Sequence, residues 1–304
     1  MATVATVATT VATAKAAKAA KAYFNGFWGG FIEGTDPISV DFFTRFLFDI
    51  YGEQVSITDN LDEANILVEC AFTNIYFVNY KKWDASFLFT GESYHNARKI
   101  TYPSYTCILG PEQTGGNFVA LPFYVLYMKL YPQMTFSPTK SITNNNTVAV
   151  IGYHHDSARC HFLDALEKRM PVLYGGRYKN NIGGRIEGHF ASDSLCDYYK
   201  GSKFVVTMEN TKIGHYITEK LINGLRAGII PIYWGSSHIA EYFNTKRFLI
   251  LEDDSAEQID ALIDKMANMS DEEYFRIVNE PIFNTGVDFD IIYNNIVSNI
   301  KKLV

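Results

Sequence analysis

The sequence predicts an α/β fold in two domains that face each other across a cleft. Short apolar runs rich in β-branched residues, typical of buried strands, alternate along the chain with segments of helical periodicity. One complete strand–helix–strand unit lies between Phe204 and Trp234. The polar stretch Ser137–Thr147, which contains a proline and consecutive asparagines, has the composition of a linker between the two halves. Two domains joined in this way form a cleft, which is the usual place for a ligand.

The central unit begins with the apolar strand Phe204–Met208. A helix is predicted over Tyr216–Ala227, because apolar residues recur there at every fourth position, and Gly228 ends it. The second strand is Ile229–Trp234. A connection of this kind joins parallel strands with a right-handed crossover, and ligands of open α/β sheets bind at the carboxyl ends of such strands.

The first domain is predicted over residues 23–136, after a low-complexity tail of residues 1–22. Its helix has apolar residues at helical spacing, and its strands are short runs of apolar residues bounded by polar or glycine-containing turns. The predicted helix is Val40–Tyr51, and the predicted strands are Lys21–Trp28, Ile66–Ala71, Ala85–Thr90, Ile100–Leu109 and Phe118–Pro122.

The second domain is predicted over residues 148–304, after a linker of residues 137–147. Besides the central unit, it contains apolar runs that predict strands and amphipathic segments that predict helices. The strands are Val148–Ile151 and Phe248–Leu251, and the helices are Ala158–Arg169, Ala256–Met269, Asp271–Asn279 and Asp290–Val304. We expect the last of these helices to pack back on the first domain.

Net charge, cysteine spacing and hydrophobicity restrict the classes of protein to which the chain can belong. The chain has 304 residues, is 47% hydrophobic, and carries a formal net charge of −6, which argues against a general nucleic-acid-binding protein. Its four cysteines lie far apart without the spacing of a zinc site, so a reduced compartment fits best. Residues 1–22 lack the features of a signal peptide, and no apolar run is long enough for a membrane span, so we expect no stable span.

Four polar residues of the central unit are candidates for binding an anionic ligand. Asn210 follows the first strand, whereas Tyr216, Glu219 and Lys220 lie in the first turns of the predicted helix. A helix N-terminus favours anions, a lysine adds a positive charge for phosphate, and a carboxylate can accept hydrogen bonds from sugar hydroxyls. The structural alternative is a helix-capping glutamate beside a solvated lysine.

Two further residues are candidates because they follow predicted strands. Arg159 begins the helix after Val148–Ile151, where it can bind phosphate through two hydrogen bonds; the alternative is a surface ion pair. Glu92 follows Ala85–Thr90 and can act as a general base in the cleft; the alternative is a solvated loop carboxylate.

Motifs for metal or dinucleotide binding are weaker or absent in this sequence. Asp288-Phe289-Asp290 has a spacing that can hold a divalent metal, but it leads into a helix without following a buried strand, so a helix cap is the better interpretation. The sequence contains no H-E-x-x-H motif. Gly175-Gly176-Arg177 is a glycine-rich turn that lacks the spacing of a dinucleotide fingerprint.

The segment FVVTMENTKIGHYITEKLINGLRAGIIPIYWGSS resembles the donor-domain motif of the α-1,3/1,4-fucosyltransferases, in which a Phe-Glu-Asn run precedes Tyr-Ile/Val-Thr-Glu-Lys, a helix and an Ile-Pro-Ile-Tyr-Trp-Gly strand. Weaker similarity extends to LFTGESYHN, ARCHFLDAL and YGGRYKN. This is an inverting glycosyltransferase family, family 10, with the GT-B architecture of two Rossmann-like domains. The resemblance therefore implies transfer of a sugar, most simply fucose from GDP-fucose, to a hydroxyl group of a glycan.

The resemblance also implies roles for individual residues. Glu92 takes the position of the general base that deprotonates the acceptor. Arg159 and Lys220 take the positions of diphosphate contacts, and Glu219 that of the carboxylate that holds ribose or sugar hydroxyls. The remaining donor-pocket positions are Asn210, Tyr216, Gly175 and Gly176. The family requires no metal or other cofactor for catalysis.

Three departures from the family pattern lie near the implied donor pocket: Met208 before Glu-Asn, His215 before the tyrosine, and Gly152-Tyr153 upstream of the arginine. They leave two alternatives open, namely the same mechanism with a UDP-sugar such as UDP-xylose and a non-catalytic module that binds glycans or nucleotides. Because the sequence shows no membrane anchor, we expect a cytoplasmic enzyme of a microbe or of a virus-infected host.

Overall fold

The computed structural model describes residues 19–34, 39–91, 104–111, 116–130, 134–152, 157–186 and 193–304. These residues form two parallel β-sheets, one of six strands and one of five, with helices packed against them. The α/β fold with two sheet-containing halves agrees with the prediction. No helix in the described ranges is both long enough and apolar enough to cross a membrane.

The first sheet has the strand order β2-β1-β3-β4-β5-β6, and every pairing in it is parallel. Its central strands are buried on both faces, as parallel strands covered by helices are. The strands are β1 Lys21–Asn25, β2 Ser56–Ile57, β3 Ile66–Cys70, β4 Ala85–Phe89, β5 Cys107–Gly110 and β6 Phe118–Ala120; the helices of this half are α1 Val40–Tyr51 and α2 Phe123–Leu130.

The second sheet has the order β11-β10-β9-β7-β8 and is also parallel throughout. Its strands are β7 Asn144–Ala149, β8 Val172–Tyr174, β9 Ser202–Val206, β10 Ile230–Tyr233 and β11 Leu249–Ile250. Its helices are α3 Ala158–Leu166, α4 Asp193–Tyr199, α5 Glu219–Arg226, α6 Ile239–Tyr242, α7 Ala256–Asn268, α8 Asp271–Val278 and α9 Phe289–Lys301.

Several element boundaries differ from the predictions for identifiable reasons. Strand β1 ends before Gly26, whose φ of 78° breaks the extended backbone. In the described part of the predicted strand Ile100–Leu109, extended pairing begins only at Cys107. Helix α5 begins at Glu219 rather than Tyr216, because the side chain of Thr218 caps it by accepting a hydrogen bond from the backbone of Lys220.

Helices α2, α4 and α6 were not predicted from the sequence. Helix α2 includes the consecutive, fully buried residues Tyr124, Val125 and Leu126, so its apolar residues do not recur at a helical period. Strand β7 begins at Asn144, inside the stretch predicted as a linker, because this asparagine pairs with Ser202 of β9. Tertiary pairing therefore extends the strand into polar sequence.

Helix α9 returns from the second half of the chain to the first. The Tyr293 ring packs against Phe46 of α1 at a centroid distance of 6.1 Å, and the Tyr293 hydroxyl donates to Asp49 at 2.6 Å. Lys129 of α2 forms an ion pair with Asp290 at 2.7 Å. Asp288 caps this helix, as predicted, by accepting hydrogen bonds from the backbone of residues 290 and 291. One apolar core contains residues of α1, α2, α5 and α9 and so joins the two halves.

We predict that Ile300→Ala lowers the free energy of unfolding by about 2–5 kcal/mol, because Ile300 is fully buried in this shared core and truncation leaves a cavity. The exposed neighbour Ser298 is the matched control, and Ser298→Ala should change stability by less than about 0.5 kcal/mol. Urea unfolding followed by circular dichroism measures both variants. Equal stability of the two variants would show that α9 does not contribute to the core.

Candidate functional site

The carboxyl end of β9 and the start of α5 are joined by a buried carboxylate, that of Glu209. Glu209 is 0% exposed. Its Oε1 accepts a hydrogen bond from the backbone N–H of Thr218 at 2.8 Å, and its Oε2 accepts one from the Thr218 hydroxyl at 2.9 Å. Burial raises the pKa of Glu209, whereas the Lys220 ammonium and the Thr218 donors counteract that rise. These hydrogen bonds connect the two ends of the loop between β9 and α5.

Lys220 shares this carboxylate and presents a fixed positive charge. Its Nζ lies 3.2 Å from Glu209 Oε2 and 3.6 Å from Glu219 Oε1. Burial by itself lowers the pKa of Lys220, but the two carboxylates outweigh it and raise the pKa, so the ammonium stays charged. The side chain is 25% exposed, which leaves part of it accessible to a ligand.

The side chains of Lys220 and Glu219 line a pocket with an empty volume of about 740 Å³ that opens to solvent. The pocket lies beyond the carboxyl ends of β7 and β8 and beside the N-terminus of α5, where open α/β sheets bind ligands. Its other lining residues are Val150, Gly152, Gly175, Gly176, Arg177, Arg185, Ile186, Leu195, Tyr199 and Asn223.

The predicted glycines Gly175 and Gly176 lie in this pocket and have no room for a side chain. A Cβ on Gly176 would lie 2.1 Å from the carbonyl oxygen of Ile151, and a Cβ on Gly175 would lie 2.7 Å from the ring of Tyr198. The backbone of Arg177 donates to the same Ile151 carbonyl at 2.9 Å. The glycines therefore allow the loop after β8 to pack directly against the end of β7.

Arg159 and Asn210 contact each other, but they lie beside this pocket rather than in its wall. Arg159 is 7% exposed, and its Nη1 donates to Asn210 Oδ1 at 3.1 Å. The positive charge of Arg159 opposes the rise in the pKa of Lys220, which places the two cations within electrostatic reach of one another. The carboxyl edge of the second sheet thus concentrates positive charge.

Tyr216 points into the interior instead of the pocket. It is 2% exposed, and its ring packs edge-on against Phe123 of the first half at a centroid distance of 6.3 Å. Neighbouring backbone groups make two more contacts with the first half: His215 donates to the Pro111 carbonyl at 2.6 Å, and Tyr124 donates to the Ile217 carbonyl at 3.1 Å. The loop before α5 is therefore one of the contacts between the two halves, besides α9 and the shared core.

The predicted base, Glu92, lies outside the described residues. Gly91, which precedes it, is buried, and a Cβ on Gly91 would lie 2.9 Å from the ring of Phe123. The chain therefore leaves the described region beside the same phenylalanine that contacts Tyr216.

Two pocket residues, Arg177 and Arg185, were missed as site candidates although both are exposed and add positive charge. The tripeptide Gly-Gly-Arg occurs twice, at residues 175–177 and 183–185, and this repetition was a usable signal. Among the described residues that line the pocket, Glu219 is the one carboxylate. This set of side chains favours an anion with hydroxyl groups over a divalent metal ion, which prefers several oxygen ligands.

The second half of the chain matches a known protein family. Residues 139–278 match the family model described as glycosyltransferase family 10 (fucosyltransferase), C-terminal. The α-(1,3)-fucosyltransferase FucT of Helicobacter pylori is 38% identical over 92 residues, which is 30% of this chain and 18% of that protein. The chain covers a quarter or less of the first curated relatives that it matches, at 25% and 18% of their lengths.

Solved structures match over nearly the whole chain. The crystal structure of an α1,3-fucosyltransferase aligns with a TM-score of 0.71 at 18% identity and covers 98% of this chain and 93% of that one. An α1,3-fucosyltransferase with GDP-fucose aligns with a TM-score of 0.67 at 18% identity and covers 97% of this chain and 94% of that one. The match confirms the predicted GT-B fold.

We predict that Glu209→Gln lowers the free energy of unfolding by about 1–3 kcal/mol, because it removes a buried negative charge that accepts hydrogen bonds from Thr218 and Lys220. Glu219→Gln removes the same charge from the partly exposed neighbour of Lys220 and should cost less than about 1 kcal/mol. Urea unfolding at neutral pH compares them. A larger loss in Glu219→Gln would contradict the structural role of Glu209.

Proposed function

The chain belongs, through residues 139–278, to glycosyltransferase family 10, and from this premise we propose that it is an inverting fucosyltransferase. In this proposal the enzyme moves fucose from GDP-fucose to a hydroxyl group of a glycan. The observation that carries the proposal is the pocket in which Lys220, Arg177 and Arg185 lie with Glu219 at the carboxyl edge of the second sheet. It combines cations for a diphosphate with an acceptor for hydroxyl groups.

The donor-binding chemistry follows from the charge distribution. The Lys220 ammonium, held by Glu209, and the first backbone N–H groups of α5 favour the negative diphosphate. The exposed arginines Arg177 and Arg185 lie at the wall of the same pocket and can add hydrogen bonds to phosphate oxygens. Glu219 is available for hydroxyl groups of the ribose or sugar.

In the proposed reaction the acceptor oxygen attacks the anomeric carbon of the donor sugar. The bond from that carbon to the diphosphate breaks, the electron pair leaves with the nucleoside diphosphate, and Glu92 takes the proton of the acceptor hydroxyl. Negative charge grows on the diphosphate in the transition state, and preorganised cations stabilise it there. Arg159 supports this field from its buried position beside Lys220.

The identity of the sugar nucleotide donor, GDP-fucose or a UDP-sugar, is a separate part of the proposal. A family model described as fucosyltransferase and a structural match to an enzyme with GDP-fucose favour that donor over a UDP-sugar. Of the departures noted in the sequence, Met208 and His215 are absent from the pocket lining, whereas Gly152 is part of it. A binding module without catalysis would need the cations but no base.

We predict that GDP binds to the purified protein in preference to UDP. At a concentration of about 100 times its dissociation constant, GDP should raise the free energy of unfolding by about 2.7 kcal/mol, because it binds the folded state alone. Thermal unfolding with GDP, UDP, GDP-fucose and UDP-xylose measures the preference. Stabilisation by the uridine compounds alone would reject the fucosyl donor.

Matched variants locate the binding. Arg185→Ala removes an exposed cation of the pocket and should weaken GDP binding about tenfold or more, the loss of a charged hydrogen bond. Arg276→Ala removes an exposed arginine of α8, outside the lining residues, and should bind GDP like the wild type. Equal losses in the two variants would indicate nonspecific charge attraction.

We predict that Glu92→Gln abolishes most fucose transfer while GDP binding stays intact, because the amide cannot accept the proton of the acceptor hydroxyl. The expected loss is at least about 100-fold, within the range of general-base contributions. Release of GDP from GDP-fucose in the presence of glycan acceptors measures transfer, and thermal stabilisation by GDP serves as the folding control. Unchanged turnover in Glu92→Gln would remove this residue as the base.

A further inference from the structure

A cluster of two histidines and a glutamate lies outside the donor pocket. His215 is in the loop before α5, His238 precedes α6, and Glu241 lies within α6. The imidazole rings of His215 and His238 stack at a centroid distance of 3.9 Å and an angle of 25°. Nδ1 of His238 lies 2.5 Å from Glu241 Oε1. One nitrogen or oxygen atom from each residue lies within 4.8 Å of those of the other two.

The backbone holds these side chains in place. Gly214 has a φ of 31°, a conformation that favours glycine, and it turns the chain at His215. The Ser236 hydroxyl donates to the Gly214 carbonyl, and the backbone of His238 donates to the Ser236 oxygen at 3.1 Å. The two segments that carry the histidines are therefore tied together by hydrogen bonds that do not use the imidazoles.

Nδ1 of His215 is buried and has no hydrogen-bond partner among the groups that the structure describes. Buried polar atoms normally have a partner, so this nitrogen requires an explanation. The pairing of His238 with Glu241 accounts for those two residues but leaves the orphaned nitrogen of His215 unexplained. A cation bound through Nδ1 of His215 would supply the missing interaction.

We propose that His215, His238 and Glu241 form a binding site for a borderline divalent metal ion such as Zn²⁺. Imidazole and carboxylate are common zinc ligands, and three protein ligands leave one position for water or another molecule. A tetrahedral zinc ion with bonds of about 2.0–2.1 Å keeps its ligand atoms about 3.4 Å apart. In the structure the three ligand atoms lie within 4.8 Å of one another, so small side-chain rotations would bring them to this spacing.

The electrostatic surroundings suit this ligand set. Burial and the neighbouring His238 lower the pKa of His215, whereas the Glu241 carboxylate opposes that shift. Glu241 is exposed and supplies one negative charge, which partly balances a divalent ion. Mg²⁺ and Ca²⁺ prefer sets of oxygen ligands, so two imidazoles select against them.

The site lies where the two halves of the molecule meet. His215 donates its backbone N–H to Pro111, and Tyr242, which follows Glu241, packs its ring against Tyr124 of α2 at 5.0 Å. A metal ion here would tie the loop before α5 to α6 and so hold Thr218 and Lys220 in their positions. It would serve as a structural clamp outside the pocket lining, and its presence can be tested without any assay of sugar transfer.

The test is Zn²⁺ binding by the 304-residue protein after treatment with a chelator, measured by isothermal titration calorimetry. We expect the wild type to bind one more Zn²⁺ ion than His215→Ala and His238→Ala, whose affinity at this site should fall by more than about 100-fold, because loss of a ligand exceeds the loss of an outer-shell partner. His161→Ala, in which a half-exposed histidine of α3 is removed, should bind as the wild type does.

Two further measurements keep the result interpretable. Co²⁺ in place of Zn²⁺ should give the strong visible absorption of a four-coordinate site in the wild type and in His161→Ala, but not in His238→Ala. Unfolding in the absence of metal should be the same for His238→Ala and the wild type, which shows that the variant folds. Undiminished Zn²⁺ binding in either His215→Ala or His238→Ala, or equal binding of Mg²⁺ by the wild type, would overturn the proposal.

Discussion

The buried carboxylate of Glu209 is the interaction on which the candidate site depends. An unpaired ionised carboxylate in an apolar interior is unfavourable by several kcal/mol, so its position requires donors that compensate for the lost water. Thr218 supplies two hydrogen bonds and Lys220 supplies a charge. Because these partners are at the start of α5 and Glu209 is at the end of β9, one interaction fixes the loop between them, the first turn of the helix and the ammonium that borders the pocket.

The same lysine contacts two carboxylates with different roles. Glu209 is fully buried and its oxygens bind within the fold, whereas Glu219 is partly exposed and lines the pocket. The Glu209 carboxylate keeps the Lys220 ammonium charged and fixes its position, whereas Glu219 remains available to a ligand. A pocket for an anion therefore contains a carboxylate without losing its positive character, because Arg177 and Arg185 add cations on the opposite loop.

Most strands of both sheets and the long amphipathic helices could be predicted from the sequence. In α1, α7 and α9 one face is buried, so apolar residues recur there at helical spacing. The sequence could not predict α2, whose buried apolar residues are consecutive, or the start of α5, which depends on the Thr218 cap and its hydrogen bonds to Glu209. For the site, spacing and resemblance identified Glu219, Lys220 and the glycines of the loop after β8. The direction of a side chain in an irregular loop is set by tertiary contacts, so the inward orientation of Tyr216 was not predictable.

The loop before α5 connects binding to domain arrangement. Its backbone contacts Pro111 and Tyr124 of the first half, and its tyrosine packs on Phe123, next to the strand end that precedes Glu92. The other end of the same loop is fixed by Glu209 and leads directly into Glu219 and Lys220. A change in the angle between the two sheets must therefore strain either these contacts or the capped helix start. The loop before α5 therefore joins the residues that border the donor pocket to the first sheet through hydrogen bonds and ring packing.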